Sequence, residues 1–204
     1  MTPADWPTGK FGAILADPPW RFEVWSGETA VKARDSKSTY LSSAAHYETM
    51  TPKDLAALPV ASLATGDCAL FLWVSWPLLL EALDIINSWR FTYKTCAFSW
   101  MKARVSQIDL FRDDADSLMG MGYWTRANSE VCLLATRGKP KRLNADVRQG
   151  IIEPRREHSR KPDCVHDRIE RLVAGPYLEL FARTQRPGWT EWGNEVGKFP
   201  QAAQ

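Results

Sequence analysis

The four consecutive residues Asp17-Pro18-Pro19-Trp20 carry the strongest chemical signal in the chain. Two prolines in a row fix φ, hold the preceding residue extended and remove two backbone N–H donors. What remains is a rigid turn offering carbonyl oxygens and one carboxylate, all of them hydrogen-bond acceptors. The matching ligand is a donor, and an exocyclic amine such as N6 of adenine is one. The lone pair of that amine is delocalised into the ring and attacks poorly. Acceptors on both N6 hydrogens, the Asp17 carboxylate and the carbonyl of Pro18 or Pro19, localise it on nitrogen. An electrophilic methyl group aligned with N6 then completes an in-line displacement. Trp20 adds a flat apolar face beside the amine. A second reading of the same residues is a proline turn that ends a strand, with a packed tryptophan.

The elements around this turn place it. Phe11–Ala16 is a short apolar run stopped by the prolines, which predicts a buried strand. Residues 67–74, 91–101, 130–136 and 177–181 read as further strands. Helices are expected from Thr51, over 77–89 and over 162–173. Thr51 can cap, Pro52 suits a first turn, and Asp54 favours the positive end of the helix dipole. Residues 186–195 read as a turn-rich aromatic tail. Segments 21–46 and 103–122 have no clear period and are expected to be mobile loops. Alternating strands and helices imply an α/β sheet with helices on both faces. Ligands of such sheets sit beyond the carboxyl ends of the strands. Asp17–Trp20 lies there after the first strand, and Arg183 lies there after the last.

Composition narrows the function classes. The 204 residues, 45% hydrophobic, suit one globular domain, with a core over about 11–197. No run approaches the roughly 20 apolar residues of a membrane helix. Residues 1–5 carry no basic and apolar signal pattern. The cysteines at 68, 96, 132 and 164 form no CxxC pair, so no zinc site is expected. Unpaired thiols imply a reducing compartment, the cytoplasm. Residues 137–161 hold nine basic and three acidic side chains, a local charge of +6 on a chain of net +2. Such a stretch implies an anionic partner or a solvated charged loop. Ten tryptophans exceed what a core needs, and some can stack on bases.

Six motifs in order now carry a resemblance. They are Ala16-Asp17-Pro18-Pro19-Trp20, His46-Tyr47-Glu48-Thr49-Met50 and the run from Gly122 to Glu130. His158-Ser159-Arg160-Lys161-Pro162-Asp163, the run from Leu178 to Arg183, and Pro187-Gly188-Trp189 with Trp192-Gly193-Asn194-Glu195 follow. Together the chain resembles the MT-A70 family of adenine-N6 methyltransferases. The resemblance implies a Rossmann-like S-adenosylmethionine-dependent methyltransferase sheet with permuted motif order, the catalytic turn early and the cofactor motifs late. No G-x-G-x-x-G follows any strand, so spacing alone does not name the cofactor.

By that resemblance, Asp17, Pro18, Pro19 and Trp20 hold and activate the adenine. Asp17 also lies near the methionine end of S-adenosylmethionine, and Lys161 meets the cofactor carboxylate. A bare lysine at a helix start is disfavoured by the dipole, so an anion nearby offsets the cost. Glu179, Phe181 and Arg183 line the cofactor pocket, and Asn194 and Glu195 bind the ribose hydroxyls. Tyr47 and Trp124 match aromatics near the substrate, and Arg126 and Asn128 belong to the same substrate motif. Arg155 and Arg156 are expected to grip phosphates. Glu130 matches the motif without an assigned role, and His158 is read as structural.

The substrate expected is DNA, because the compact build resembles bacterial or phage members. Methylation of adenosine in RNA is the nearest alternative. A reading of another class is a non-catalytic nucleic-acid-binding scaffold beside an active partner. The partner is nucleic acid, with no membrane association. The chain is expected to be a monomer or a homodimer.

Overall fold

The protein is described by a computed structural model, which covers residues 5–21, 49–103, 124–125, 127–157 and 159–199. Segments 22–48 and 104–123, with Tyr47 among them, and Arg126 and His158 lie outside the described residues. Seven strands make one sheet: β1 (Phe11–Ala16), β2 (Ala64–Val74), β3 (Thr92–Ala103), β4 (Ser129–Arg137), β5 (Gly150–Pro154), β6 (Tyr177–Leu180) and β7 (Trp189–Trp192). Their order across the sheet is β5-β3-β4-β2-β1-β6-β7. Every adjacent pair is parallel except those made by β4, which runs against β2 and β3. The α/β architecture is that of a Rossmann-like methyltransferase sheet.

Covering both faces explains the composition of the central strands. Ala13, Ile14, Leu15 and Ala16 of β1 are all buried, with no alternation, as expected for a sheet sandwiched by helices. On one face Ile14, Leu70, Leu72 and Leu133 meet α1 (Pro52–Ala57) and α2 (Leu79–Ser88) through Leu55, Ile85, Ile86 and Trp89. On the other, Leu15, Phe71, Trp73 and Phe98 meet α3 (Cys164–Leu172) through Val165 and Ile169. Thr51 caps α1 as expected, its hydroxyl accepting from Asp54 N at 3.2 Å. Trp89 Nε1 donates to Leu55 O at 2.9 Å and locks α2 onto α1. No helix among the described residues is long and apolar enough to cross a membrane.

Several boundaries differ from expectation. The helix expected over 162–173 is Cys164–Leu172, so Pro162 precedes it. That expected over 77–89 opens as a 3₁₀ turn, Trp76–Leu78, before Leu79–Ser88. The expected aromatic tail contains β7, and the basic stretch contains β5. Both are short edge strands, too brief to show a period.

Chain direction sets the position of the site. From β1 the chain steps to β2 on one side, while β6 and β7 extend the sheet on the other. The carboxyl ends of β1 and β6 therefore flank a topological switch point, where open α/β sheets bind ligands.

Leu55 is the buried anchor of the six-residue α1. Leu55→Ala is expected to cost about 2–5 kcal/mol through lost burial and a residual cavity. Urea unfolding checks this. A loss under about 1 kcal/mol contradicts the packing described here, because a fully buried leucine cannot be truncated so cheaply.

Candidate active site

Beyond β1 the proline turn is held on both sides. Trp20 N donates to Pro18 O at 2.8 Å, Met50 N donates to Pro19 O at 2.9 Å, and Arg21 N donates to Met50 O at 3.2 Å. Met50 immediately precedes the Thr51 cap, so α1 braces the turn. Each proline carbonyl still has a second lone pair, so both remain able to accept from a ligand. Trp20 departs from expectation. Its ring is 5% exposed, and its Nε1 donates to Trp73 O at 3.0 Å inside the core. It anchors the turn from beneath, and its face is not open for stacking beside an amine.

Asp17 points toward α3, where a chain of charges crosses the sheet end. Lys161 Nζ donates to the Asp17 carboxylate at 2.9 Å and lies 3.3 Å from Glu130 Oε2. Glu130 also accepts from Lys102 Nζ. All four side chains are less than a quarter exposed. The Trp73 ring lies 5.6 Å beneath the Lys161 ammonium. Two positive and two negative groups thus compensate one another, which burial demands. Burial pushes the Glu130 carboxyl up, but Lys161 and Lys102 outweigh it and hold it at about 2. Burial opposes the charge on Lys161, but Asp17 and Glu130 outweigh it and raise its pKa above the ordinary lysine value. The anion expected near Lys161 is therefore supplied by the protein's own carboxylates.

The end of β6 builds the neighbouring wall. Phe181 adopts a left-handed backbone, φ +63°, a strain of roughly 1–3 kcal/mol of the kind concentrated at functional sites. Ala182 N donates to Trp192 O at 2.9 Å and holds the turn. Gly193 allows that approach, since a Cβ there would lie 2.7 Å from Ala182 O. Arg183 Nη1 donates to Ser159 O at 3.0 Å, and its Nε lies 3.3 Å from Glu195 Oε2. It ties the cavity wall to the segment carrying Lys161.

Between these walls lies a cavity of about 620 Å³ lined by Pro19, Met50, Phe181, Arg183, Asn194 and Glu195. That volume is within the roughly 300–1,000 Å³ of small-molecule sites. Aromatic Phe181 and Trp192 flank it, while the Asn194 amide and the Glu195 carboxylate provide polar partners for a diol. Phe181 also borders a smaller cavity of about 40 Å³ shared with Asp17, Lys161, His166 and Glu179.

The remaining expected residues are placed as follows. Glu179 lies on the α3 side, 2.8 Å from His166 Nε2, and borders the small cavity. Trp124 is fully exposed, ahead of β4. Asn128 O accepts from Lys102 N at 3.0 Å. Arg155 is exposed on the surface. Arg156 is exposed, and it donates to Asp163 Oδ2 at 2.6 Å and to Lys161 O at 3.1 Å, so it also braces the Lys161 segment. Glu130, Lys102, Met50 and Gly193 join the site beyond the residues assigned from sequence. Glu130 is a carboxylate opening an otherwise apolar strand, which was the signal for it.

The charge chain predicts a pH dependence. Glu130 has a depressed folded pKa, so its stabilisation is present above the ordinary value of 4.5 and is lost as pH falls from there toward about 2. Glu130→Gln removes that part of the acid dependence and, by leaving Lys161 and Lys102 short of a carboxylate, costs about 1–3 kcal/mol at neutral pH. Denaturation midpoints across pH 2–7 read both effects. An unchanged acid slope in the variant contradicts the coupling.

The MT-A70 family model matches residues 11–195. A type II methyltransferase of Mycoplasma sp, M.MunI, is 32% identical over 199 residues, 93% of this chain and 79% of the relative. The N(6)-adenine-specific methyltransferase METTL4 of Mus musculus is 30% identical over 207 residues, 93% of this chain and 38% of the relative. The N(6)-adenosine-methyltransferase catalytic subunit METTL3 of Homo sapiens is 27% identical over 192 residues, 92% of this chain and 28% of the relative. The chain spans most of the Mycoplasma protein and well under half of the two mammalian ones. With its sheet, its permuted site and this matched span, the chain belongs to the MT-A70 family of methyltransferases.

Proposed function

We propose that the protein transfers a methyl group from S-adenosylmethionine to the N6 amine of adenine in DNA. The observation that carries this reading is the rigid acceptor turn, Asp17 to Pro19, at the switch point, with Pro19 lining the 620 Å³ cavity and Asp17 the small cavity beside it. The cavity fits the cofactor by its donor set: aromatic walls for an adenine ring, and Asn194 with Glu195 for ribose hydroxyls. Bound there, S-adenosylmethionine supplies an electrophilic methyl group.

The chain's own residues do the rest. Asp17 and the free lone pairs of the Pro18 and Pro19 carbonyls accept the N6 hydrogens and make the amine nucleophilic. Their braced backbone means little reorganisation accompanies the reaction. Lys161 holds the Asp17 carboxylate in place. The methylated amine then releases its proton to water, and no side chain is assigned as base. In duplex DNA the base must leave the stack to reach this pocket, at a cost of a few kcal/mol.

DNA as the substrate rests on the match to the type II methyltransferase across most of both chains. The names of the mammalian relatives, one specific for adenine and one for adenosine, support N6 as the acceptor position. Residues exposed in the basic stretch, Arg155 among them, grip phosphates, so affinity falls with salt.

Labelled S-adenosylmethionine offered with duplex DNA, single-stranded DNA and RNA, followed by nucleoside mass spectrometry, tests the reading. N6-methyladenine in DNA is expected, and Asp17→Ala lowers its formation by about 10²–10³-fold or more through loss of an aligned acceptor. Product in RNA alone moves the substrate to RNA. Near wild-type turnover by Asp17→Ala overturns the role given to the turn.

A further inference from the structure

We infer that Trp76 is a stacking platform for a base of the substrate strand beside the adenine being methylated; this rests on the function proposed above. Trp76 opens the 3₁₀ turn that follows β2. Its ring is 52% exposed, unusual for a tryptophan so close to a central strand. A single exposed hydrophobic residue needs no explanation. Three further observations set this one apart.

The first is location. Ala16 of β1 pairs with Leu72 of β2, which brings Asp17 level with Trp73 and Pro18 level with Val74. Trp76 lies two residues beyond Val74, in the 3₁₀ turn that leaves β2, so it stands at the same carboxyl end of the sheet as the acceptor turn, after the neighbouring strand.

The second is orientation. Trp76 Nε1 donates to Ser129 Oγ at 3.3 Å. The bond satisfies the indole N–H and fixes the ring, so its faces remain for π contact. Ser129 is followed by Glu130, which points to the opposite face of the sheet toward Lys161 and Asp17, so the platform lies across the sheet end from the charge chain.

The third is company. Met101 is the cross-strand partner of Ser129 and is 39% exposed. Residues directly opposite in an antiparallel pair share a face, so Trp76, held by the Ser129 hydroxyl, and Met101, opposite Ser129, form one small shelf. A flat ring with a polarizable thioether beside it suits a base, which stacks without regard to its identity. The shelf therefore holds the strand without reading its sequence, leaving Asp17 and the proline carbonyls to select the amine.

Fluorescence anisotropy of a labelled single-stranded oligodeoxynucleotide with one central adenine tests this. A set with an abasic site at each position flanking the adenine locates the stacked base. Wild-type protein is expected to lose affinity at one flanking position. Trp76→Ala is expected to bind the intact oligonucleotide about ten-fold or more weakly, in line with the loss of one base–aromatic stack, and to show no further loss at that abasic position. Trp76→Phe retains most of the affinity, and both variants bind S-adenosylmethionine as wild type does. Intact affinity in Trp76→Ala, or the same abasic penalty in both proteins, overturns the inference. A wild-type protein that binds no oligonucleotide overturns it together with the proposed substrate, whereas intact affinity in Trp76→Ala leaves that substrate standing.

Discussion

Lys161 and Asp17 are 144 residues apart, and their side chains meet at 2.9 Å. The rest of the site hangs on that ion pair. Asp17 directly follows β1, and Lys161 sits just ahead of α3, so the pair pins the helix face of the molecule to the tip of the sheet. A buried pair is weak evidence for stability, since desolvation offsets the attraction. Breaking one side is costly, because the other charge is left buried. The arrangement therefore specifies geometry more than it stabilises the fold. Glu130 and Lys102 extend the pair to β4 and β3 and bring the local charge to balance.

The supports around this chain follow the same logic. Arg156 holds Lys161 by its carbonyl and Asp163 by its carboxylate. Arg160, 8% exposed, pairs with Glu157 and Asp163 and lies against the Phe199 ring. Arg137 donates to Ala61 O at 2.7 Å and closes the far end of β4. Four of the basic side chains of the stretch, Arg137, Arg156, Arg160 and Lys161, thus have partners within the protein, while Lys139, Lys141, Arg142, Arg148 and Arg155 are exposed. On the other wall, strain at Phe181 is held by β7 and by the close approach of Gly193. Rigid backbone on both sides of a cavity is what a site needs if its acceptors are to be aligned before the reaction begins.

Much of this was legible from residue order. The apolar run Phe11–Ala16 and the two prolines after it give a buried strand and a sharp stop, because both are local effects of burial and φ restriction. Thr51 and Asp54 announce a helix cap for the same reason. Arg183, Asn194 and Glu195, far from Asp17 in sequence, line one cavity with Pro19. The misjudged features depend on tertiary context. Trp20 reads as a stacking face until the sheet buries it and Trp73 O takes its N–H. Arg156 stays at the surface, but its pairing with Asp163 through the turn before α3 has no local signal. β5 and β7 are five and four residues long, and each exists only because a parallel neighbour offers its edge. Trp76 and Ser129 are 53 residues apart, and no spacing rule connects them.

Backbone hydrogen exchange with and without S-adenosylmethionine tests whether the cleft between the ends of β1 and β6 is the cofactor site. Added protection is expected at Asp17, at Phe181 to Arg183 and at Gly193 to Glu195, with the α1–α2 face and the β5 edge unchanged. Protection confined to other segments, or no change with saturating cofactor, contradicts that assignment of the site.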